Sequence, residues 1–242
     1  MKKIVIIPAR WGSSRLEGKP LMPIKGRPMI QHVYERCRAA AVDAVVVATD
    51  DTRIAKAVKD FGGRAVITSA DNRSGTDRVA DAARILGLDP GDILVNVQGD
   101  QPLLHPSCIN EVTRPLELDP SLSMSTLGFI IQDPREISDP KDVKVVLDSK
   151  GNALYFSRAA IPFPRDDGTA CSYIKHLGIY AYSVHFLNIF MSLPTGTLEE
   201  IEKLEQLRAL EHGYSVRVVM TEHDSPEVDL PEDIGRIENK MM

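Results

Sequence analysis

Arg10, Arg15 and Lys19 stand close together in one short segment, with Gly12 and Gly18 between them. Three cations so near one another suit a polyanion. The two glycines let the backbone approach such a ligand and present N–H donors with no Cβ in the way. The chemistry this combination serves best is the binding of a triphosphate. A solvated basic loop is the plainer alternative, since charged side chains are mostly exposed. Placement argues against it: the segment follows the apolar run Ile4 to Ile7 and leaves the carboxyl end of what reads as the first strand of an open α/β sheet, where such sheets bind ligands.

The segment matches neither standard phosphate motif. A Walker A loop needs G-x-x-x-x-G-K-[ST]; Gly18 and Lys19 are present, but Pro20 replaces the hydroxyl residue and position 13 holds no glycine. A dinucleotide fingerprint opens a helix directly, whereas Pro20 and Pro23 delay the first helix to about Pro28. A long basic loop remains, wrapping phosphates with side-chain charge as well as amides.

Further along, Asp100 follows Gly99 just past the buried run Ile93 to Val97, so its carboxylate can reach the cleft at the sheet's carboxyl edge. Asp229 precedes Leu230 and Pro231, where helix capping is the competing role. Ser74, Gly75 and Thr76 occupy a turn before a helix, able to cap it or to contact a base or ribose. Gln98 can donate and accept. Nothing in this pattern selects one nucleobase over another.

An ordered series of segments, among them IPARWGSSRLEGKPL, SADNRSGTDRV, VNVQGDQP, KVVLDSKGNALYFSRAAIP, EKLEQLRALEHG and VDLPEDI, resembles the sugar-nucleotide cytidylyltransferases. The resemblance implies a Rossmann-like mixed, mostly parallel α/β fold of the nucleotide-diphospho-sugar transferase type. It implies transfer of CMP from CTP to Kdo, a lipopolysaccharide sugar, with magnesium and release of diphosphate. On the matching positions, Pro8, Ala9, Arg10, Ser14, Arg15, Lys19, Ser74, Gly75 and Gln98 would bind the nucleotide, with Arg10, Arg15, Lys19 and Asp100 catalytic. Asp100 and Asp229 would hold the metal, and Arg158, His176, Tyr180, Glu205 and Gln206 the sugar, Arg158 facing its carboxylate. A homodimer is also implied.

Three departures stand out. Gln101 occupies a position usually held by Glu, Leu230 replaces a capping Thr, and the stretch Pro164 to Ser172 is short. The nearest rival acceptors are sialic acid and an amino analogue of Kdo. A nicotinamide oxidoreductase lacks its glycine fingerprint, and a non-catalytic nucleotide sensor leaves the two aspartates without a use.

Elements must position these residues, and the rest of the chain supplies them. With 242 residues, 43% of them hydrophobic, a full core can be buried. Runs of strand length alternate with helical patterns through the first hundred residues: Val45 to Ala48, Ile54 to Phe61, Ala65 to Thr68, Val79 to Leu86. Continuous apolar strands predict a parallel sheet covered on both faces. Lys144 to Leu147 and Ala153 to Ser157 read as a hairpin, Thr197 to His212 as one helix, and Pro231 as the start of a last helix. The expectation is a single domain, a nucleotide half over residues 1–105 and a sugar-binding and dimerisation half over 106–242.

A net charge of −5 argues against a nucleic-acid surface. Three scattered cysteines predict free thiols and a cytoplasmic setting. The apolar run near the start is too short for a signal peptide or a membrane span.

Overall fold

A computed structural model describes residues 1–12, 16–166 and 171–241. The chain opens on β1 (Lys3–Ala9), a single 3₁₀ turn (Lys19–Leu21) and the small ribbon β2 (Pro23–Ile24) with β3 (Arg27–Pro28). It continues through α1 (Met29–Arg38), β4 (Ala44–Thr49), α2 (Thr52–Asp60), β5 (Ala65–Ile67), α3 (Gly75–Ile85) and β6 (Ile93–Asn96). The second half runs α4 (Pro106–Leu118), β7 (Met124–Ile130), α5 (Pro134–Ser138), β8 (Lys144–Leu147), β9 (Ala153–Ser157) and β10 (Ile174–Ser183). It closes with α6 (Val184–Ser192), α7 (Thr197–Glu202), α8 (Leu207–Glu211), β11 (Val216–Thr221) and α9 (Pro231–Lys240).

A nine-stranded sheet spans both halves, in the order β11-β7-β10-β6-β1-β4-β5, with β8 paired to β10 and β9 to β8. β1 pairs parallel with β4 on one side and β6 on the other. It is therefore central and apolar on both faces. Val5, Ile7 and Ala9 face one core with Ile30, Val33, Ile54, Ile109 and Val112, from α1, α2 and α4. Ile4 and Ile6 face the opposite core with Val79, Ala82, Phe186 and Leu187, from α3 and α6. Each such buried aliphatic side chain contributes roughly 1.5–3 kcal/mol relative to exposure.

The chain steps from β1 outward through β4 to β5, then returns to β6 on the other flank of β1. Loops leaving β1 and β6 therefore diverge at the sheet's carboxyl edge and open a crevice there. Antiparallel β10 lies beside β6 and makes the sheet mixed.

The predicted boundaries hold within a few residues except in the second half, where one expected helix is two. Lys203 adopts φ 54° and ends α7; α8 begins at Leu207. The leucine spacing is real, but Glu205 and Gln206 in the break turn to partners on α3 and β10. Arg208 clasps Glu199 at 2.5 Å across the break and holds the two short helices together.

Candidate active site

The segment after β1 folds back on itself. Gly18, at φ 68°, donates its N–H to the Trp11 carbonyl at 3.0 Å and delivers Lys19 into the 3₁₀ turn. A side chain at Gly18 would be strained by that angle. Beneath lies an open cleft of about 280 Å³. Pro8, Ala9, Arg10, Lys19, Ser74, Gly75, Gln98 and both predicted metal ligands, Asp100 and Asp229, line it together. Ser14 and Arg15, also expected here, lie outside the described residues.

Lys19 Nζ stands 2.6 Å from Asp100 Oδ2 and 3.6 Å from Asp229 Oδ1, so residues far apart in sequence share one charge centre. Gly99 makes this possible: a Cβ there would lie 3.1 Å from the Pro8 carbonyl. The second oxygen of Asp100, Oδ1, is buried with no hydrogen-bond partner among the described residues. An orphaned carboxylate oxygen in a cleft lined by a second carboxylate suits a hard divalent cation, and magnesium takes one or two carboxylates beside substrate phosphates. Among the described residues no larger cluster of potential ligands converges.

Asp229 sits two residues before Pro231, the first position of α9, and Asp233 in the first turn accepts from the amides of Asp229 and Leu230, both at 2.9 Å. Half of a capping box is thus present, while Leu230 itself supplies no side-chain cap. Gln101 is fully buried and donates to Glu227 Oε1 at 3.2 Å, so the acidic group next to Asp100 is provided by Glu227. Enclosure by protein, then the neighbouring charges of Asp100 and Asp229, push Glu227 up to about 7.

Several cleft residues escaped the sequence reading. Arg78, 3% exposed, donates to Asp50 at 3.0 Å and to Thr68 at 2.7 Å while lining the cleft with Asn72 and Arg73. Its signal was an arginine beside the buried positions Thr76 and Val79 of α3. Glu227, in the neighbouring cavity beyond Asp229, gave none, because its partner Gln101 is 126 positions away.

Ser74 does two things. It caps α3 by accepting from the Asp77 amide at 3.0 Å, and it donates to Glu205 Oε1 at 3.0 Å. Thr76 donates to the other oxygen of Glu205. Burial raises the Glu205 carboxyl above its ordinary range, and these two hydroxyls oppose the shift. Tyr180 donates to Gln206 Oε1 at 3.1 Å, and a small cavity brings Tyr180, Glu205 and Gln206 together. Gln206 Nε2 is buried and unpartnered among the described residues.

His176 lies 5.5 Å from Tyr180, centroid to centroid, but faces a different cavity, with Glu227 and Asp229. A β-bulge between Leu177 and Tyr180 separates the two. Thr126 stitches it, sharing its single hydroxyl proton between the carbonyls of Ile179 at 2.8 Å and Leu177 at 3.1 Å; its lone pair is then free to accept from His176 Nε2 at 2.9 Å. Burial holds His176 neutral, its pKa lowered to about 3. Arg158 is placed apart from all three cavities: its guanidinium donates to the carbonyls of Glu202, Pro140 and Lys203.

This geometry can hold a triphosphate against cations beside two carboxylates, with hydroxyl-rich partners next to it. A family model described as cytidylyltransferase matches residues 4–222. The chain belongs to the cytidylyltransferase family. A 3-deoxy-manno-octulosonate cytidylyltransferase of Desulfatibacillum aliphaticivorans is 62% identical, covering 98% of both chains. An 8-amino-3,8-dideoxy-manno-octulosonate cytidylyltransferase of Shewanella frigidimarina is 54% identical, over 100% of this chain and 99% of that one. The solved structure of a CMP:2-keto-3-deoxy-manno-octonic acid synthetase complexed with CTP superposes with a TM-score of 0.93 at 42% identity, covering 100% of this chain and 98% of the other. The mixed, mostly parallel α/β fold of the family is thus the fold of this chain.

Proposed function

We propose that this cytidylyltransferase joins CTP to Kdo, giving CMP-Kdo and diphosphate. The convergence of Lys19, Asp100 and Asp229 in a cleft floored by the ends of β1 and β6 carries the reading. The anomeric hydroxyl of Kdo attacks the α-phosphorus in line, its proton passing to water, while the α–β phosphoanhydride bond breaks and diphosphate departs. Arg10 and Lys19, with Arg15, neutralise the departing phosphates. Ser74 and Gly75 at the start of α3, with Gln98, hold the nucleoside. Tyr180, Glu205 and Gln206 offer donors and acceptors for sugar hydroxyls, Ser74 linking this group to the nucleotide cleft. Asp100 and Asp229 are the residues that would hold magnesium, which when bound adds Lewis acidity toward the α-phosphate. Arg158, bound to backbone carbonyls, has a supporting role in this reading.

A homodimer accompanies the proposal, supported by the exposed Leu154, Phe163 and Ile201 on β9, the following loop and α7. Light scattering after gel filtration tests it. No helix among the described residues is long and apolar enough to cross a membrane. A cytoplasmic setting fits the free thiols of Cys37, Cys108 and Cys171.

One observation favours a second acceptor. Beyond Asp229 lies a cavity of about 550 Å³ in which carboxylates, Glu227, Asp142 and Asp224 among them, outnumber cations. An acceptor bearing an ammonium group, as named for the Shewanella relative, suits such a wall better than a neutral hydroxyl. The test is a diphosphate-release assay crossing the four nucleoside triphosphates with Kdo, 8-amino-Kdo and sialic acid. Release with CTP and Kdo is expected; release only with UTP contradicts the nucleotide, and only with sialic acid the acceptor. A higher kcat/KM for the amino sugar selects the second reading.

A further inference from the structure

Trp11 is the one tryptophan of the chain, and it stands where the phosphate loop closes. Its indole Nε1 donates to Glu17 Oε1 at 2.9 Å. Its six-membered ring lies against Gly18, so that a Cβ there would come within 3.0–3.1 Å of two ring atoms. The Arg53 guanidinium lies over the ring, 3.4 Å from its centroid. Arg53 is fixed in turn by Asp51, with donor–acceptor distances of 2.6–3.2 Å, and Asp51 also caps α2 through the Arg53 amide at 2.8 Å. The ring is thus tied to α2 through Arg53 and to the loop through Glu17 and Gly18. It does not line the cleft itself.

We propose that Trp11, clamped by Arg53 and Glu17, is a positioning residue for the nucleotide site: it moulds the Gly18 turn that aims Lys19 at Asp100 and Asp229. Three observations point one way. Among the described residues the indole meets Glu17 and Gly18 in the loop and Arg53 on α2, the backbone bond from Gly18 returns to Trp11 itself, and Lys19 is the next residue. A guanidinium stacked on tryptophan is the strongest common form of cation–π contact. Its planar fork also meets Asp51 at two oxygens, which an ammonium does not reproduce. The inference rests on the cleft being a CTP site.

Arg53 is largely exposed, with a side-chain accessibility of 56%, so replacing it leaves the core intact. Because Trp11 is the sole indole, its fluorescence reports this clamp directly. CTP titrated into the wild type should shift the emission. Arg53→Ala should raise the KM for CTP about two- to fivefold, the factor an exposed cation–π contact carries, and weaken CTP binding by emission to match. Because Lys19 also neutralises the departing phosphates, kcat should fall as well, while the KM for Kdo and the melting temperature should stay as they were. Arg53→Lys should recover only part of the loss, and Glu17→Gln should move CTP binding the same way. An Arg53→Ala enzyme with unchanged KM for CTP, or one whose only defect tracks a lowered melting temperature, overturns the positioning role. If wild-type protein neither shifts its emission with CTP nor releases diphosphate, the cleft assignment itself has failed and the inference falls with it.

Discussion

Lys19 Nζ and Asp100 Oδ2 meet at 2.6 Å although 81 positions separate them. One comes from the loop after β1, the other from the loop after β6, and these strands are sheet neighbours. The ammonium also faces Asp229, so it offsets the repulsion of two carboxylates and stands ready to turn toward phosphate. Replacing Asp100 by Asn should lower kcat/KM about 10²- to 10³-fold, the usual size for removing one electrostatic partner of a reacting group. Its magnesium requirement should rise as well. Diphosphate release measured over a range of magnesium concentrations checks both, and an unchanged metal dependence would remove Asp100 from that role.

Ser74 links the nucleotide cleft to Glu205, and its two roles can be separated. Ser74→Ala loses the α3 cap and should cost about 0.5–2 kcal/mol in urea unfolding, whereas Ser74→Gly should cost only a few tenths. Both remove the 3.0 Å bond to Glu205. Both should therefore raise the acceptor KM by similar factors despite unequal stability. An acceptor KM that follows stability instead would leave Ser74 a capping residue alone.

His176 makes stability depend on pH. Its folded pKa is depressed to about 3 by burial, below the ordinary value of 6.5, so the unfolded chain binds the proton first as pH falls. The contribution is intact above 6.5 and is lost progressively down to about 3. Between pH 7 and pH 5 the loss should be about 2 kcal/mol. Urea unfolding of wild type and His176→Gln at both pH values measures it. Equal pH slopes for the two proteins would contradict it.

Lys175 is buried, its side chain 7% accessible, and its ammonium meets Asp224 at 2.9 Å and Glu136 at 3.0 Å. Burial opposes its charge, but these carboxylates prevail and raise its pKa. Lys175→Met would leave the carboxylates uncompensated and should destabilise by about 3–5 kcal/mol. A denaturant midpoint near the wild-type value would show the cluster to be well solvated.

The strands and the place of Asp100 at the sheet's carboxyl edge were legible because both are local in sequence. Ile4 to Ile7 announces a central strand by its unbroken apolar run, and Gly99 before Asp100 announces a close approach. The alternation of strand and helix also ordered the first half well. What escaped was tertiary. The Thr197 to His212 helix has the right leucine spacing, but its Glu205 and Gln206 find better partners on α3 and β10, and Lys203 turns the chain. Arg158 looks like a carboxylate ligand by type, yet three carbonyls claim its guanidinium. Glu227 acquires its character only from Gln101, Asp100 and Asp229 around it. The acceptor roles proposed for Tyr180, Glu205 and Gln206 came from the resemblance of quoted segments to known cytidylyltransferases and not from spacing.

The account stands on one cation and one triphosphate meeting at Lys19, Asp100 and Asp229. Crystals grown with CTP and manganese, recorded at a wavelength where manganese scatters anomalously, test this most directly. The expected map has its manganese peak against the carboxylates of Asp100 and Asp229, with the phosphates running toward Arg10 and Lys19. A peak in the cavity beyond Glu227, or a nucleotide bound away from the loop after β1, would contradict the account.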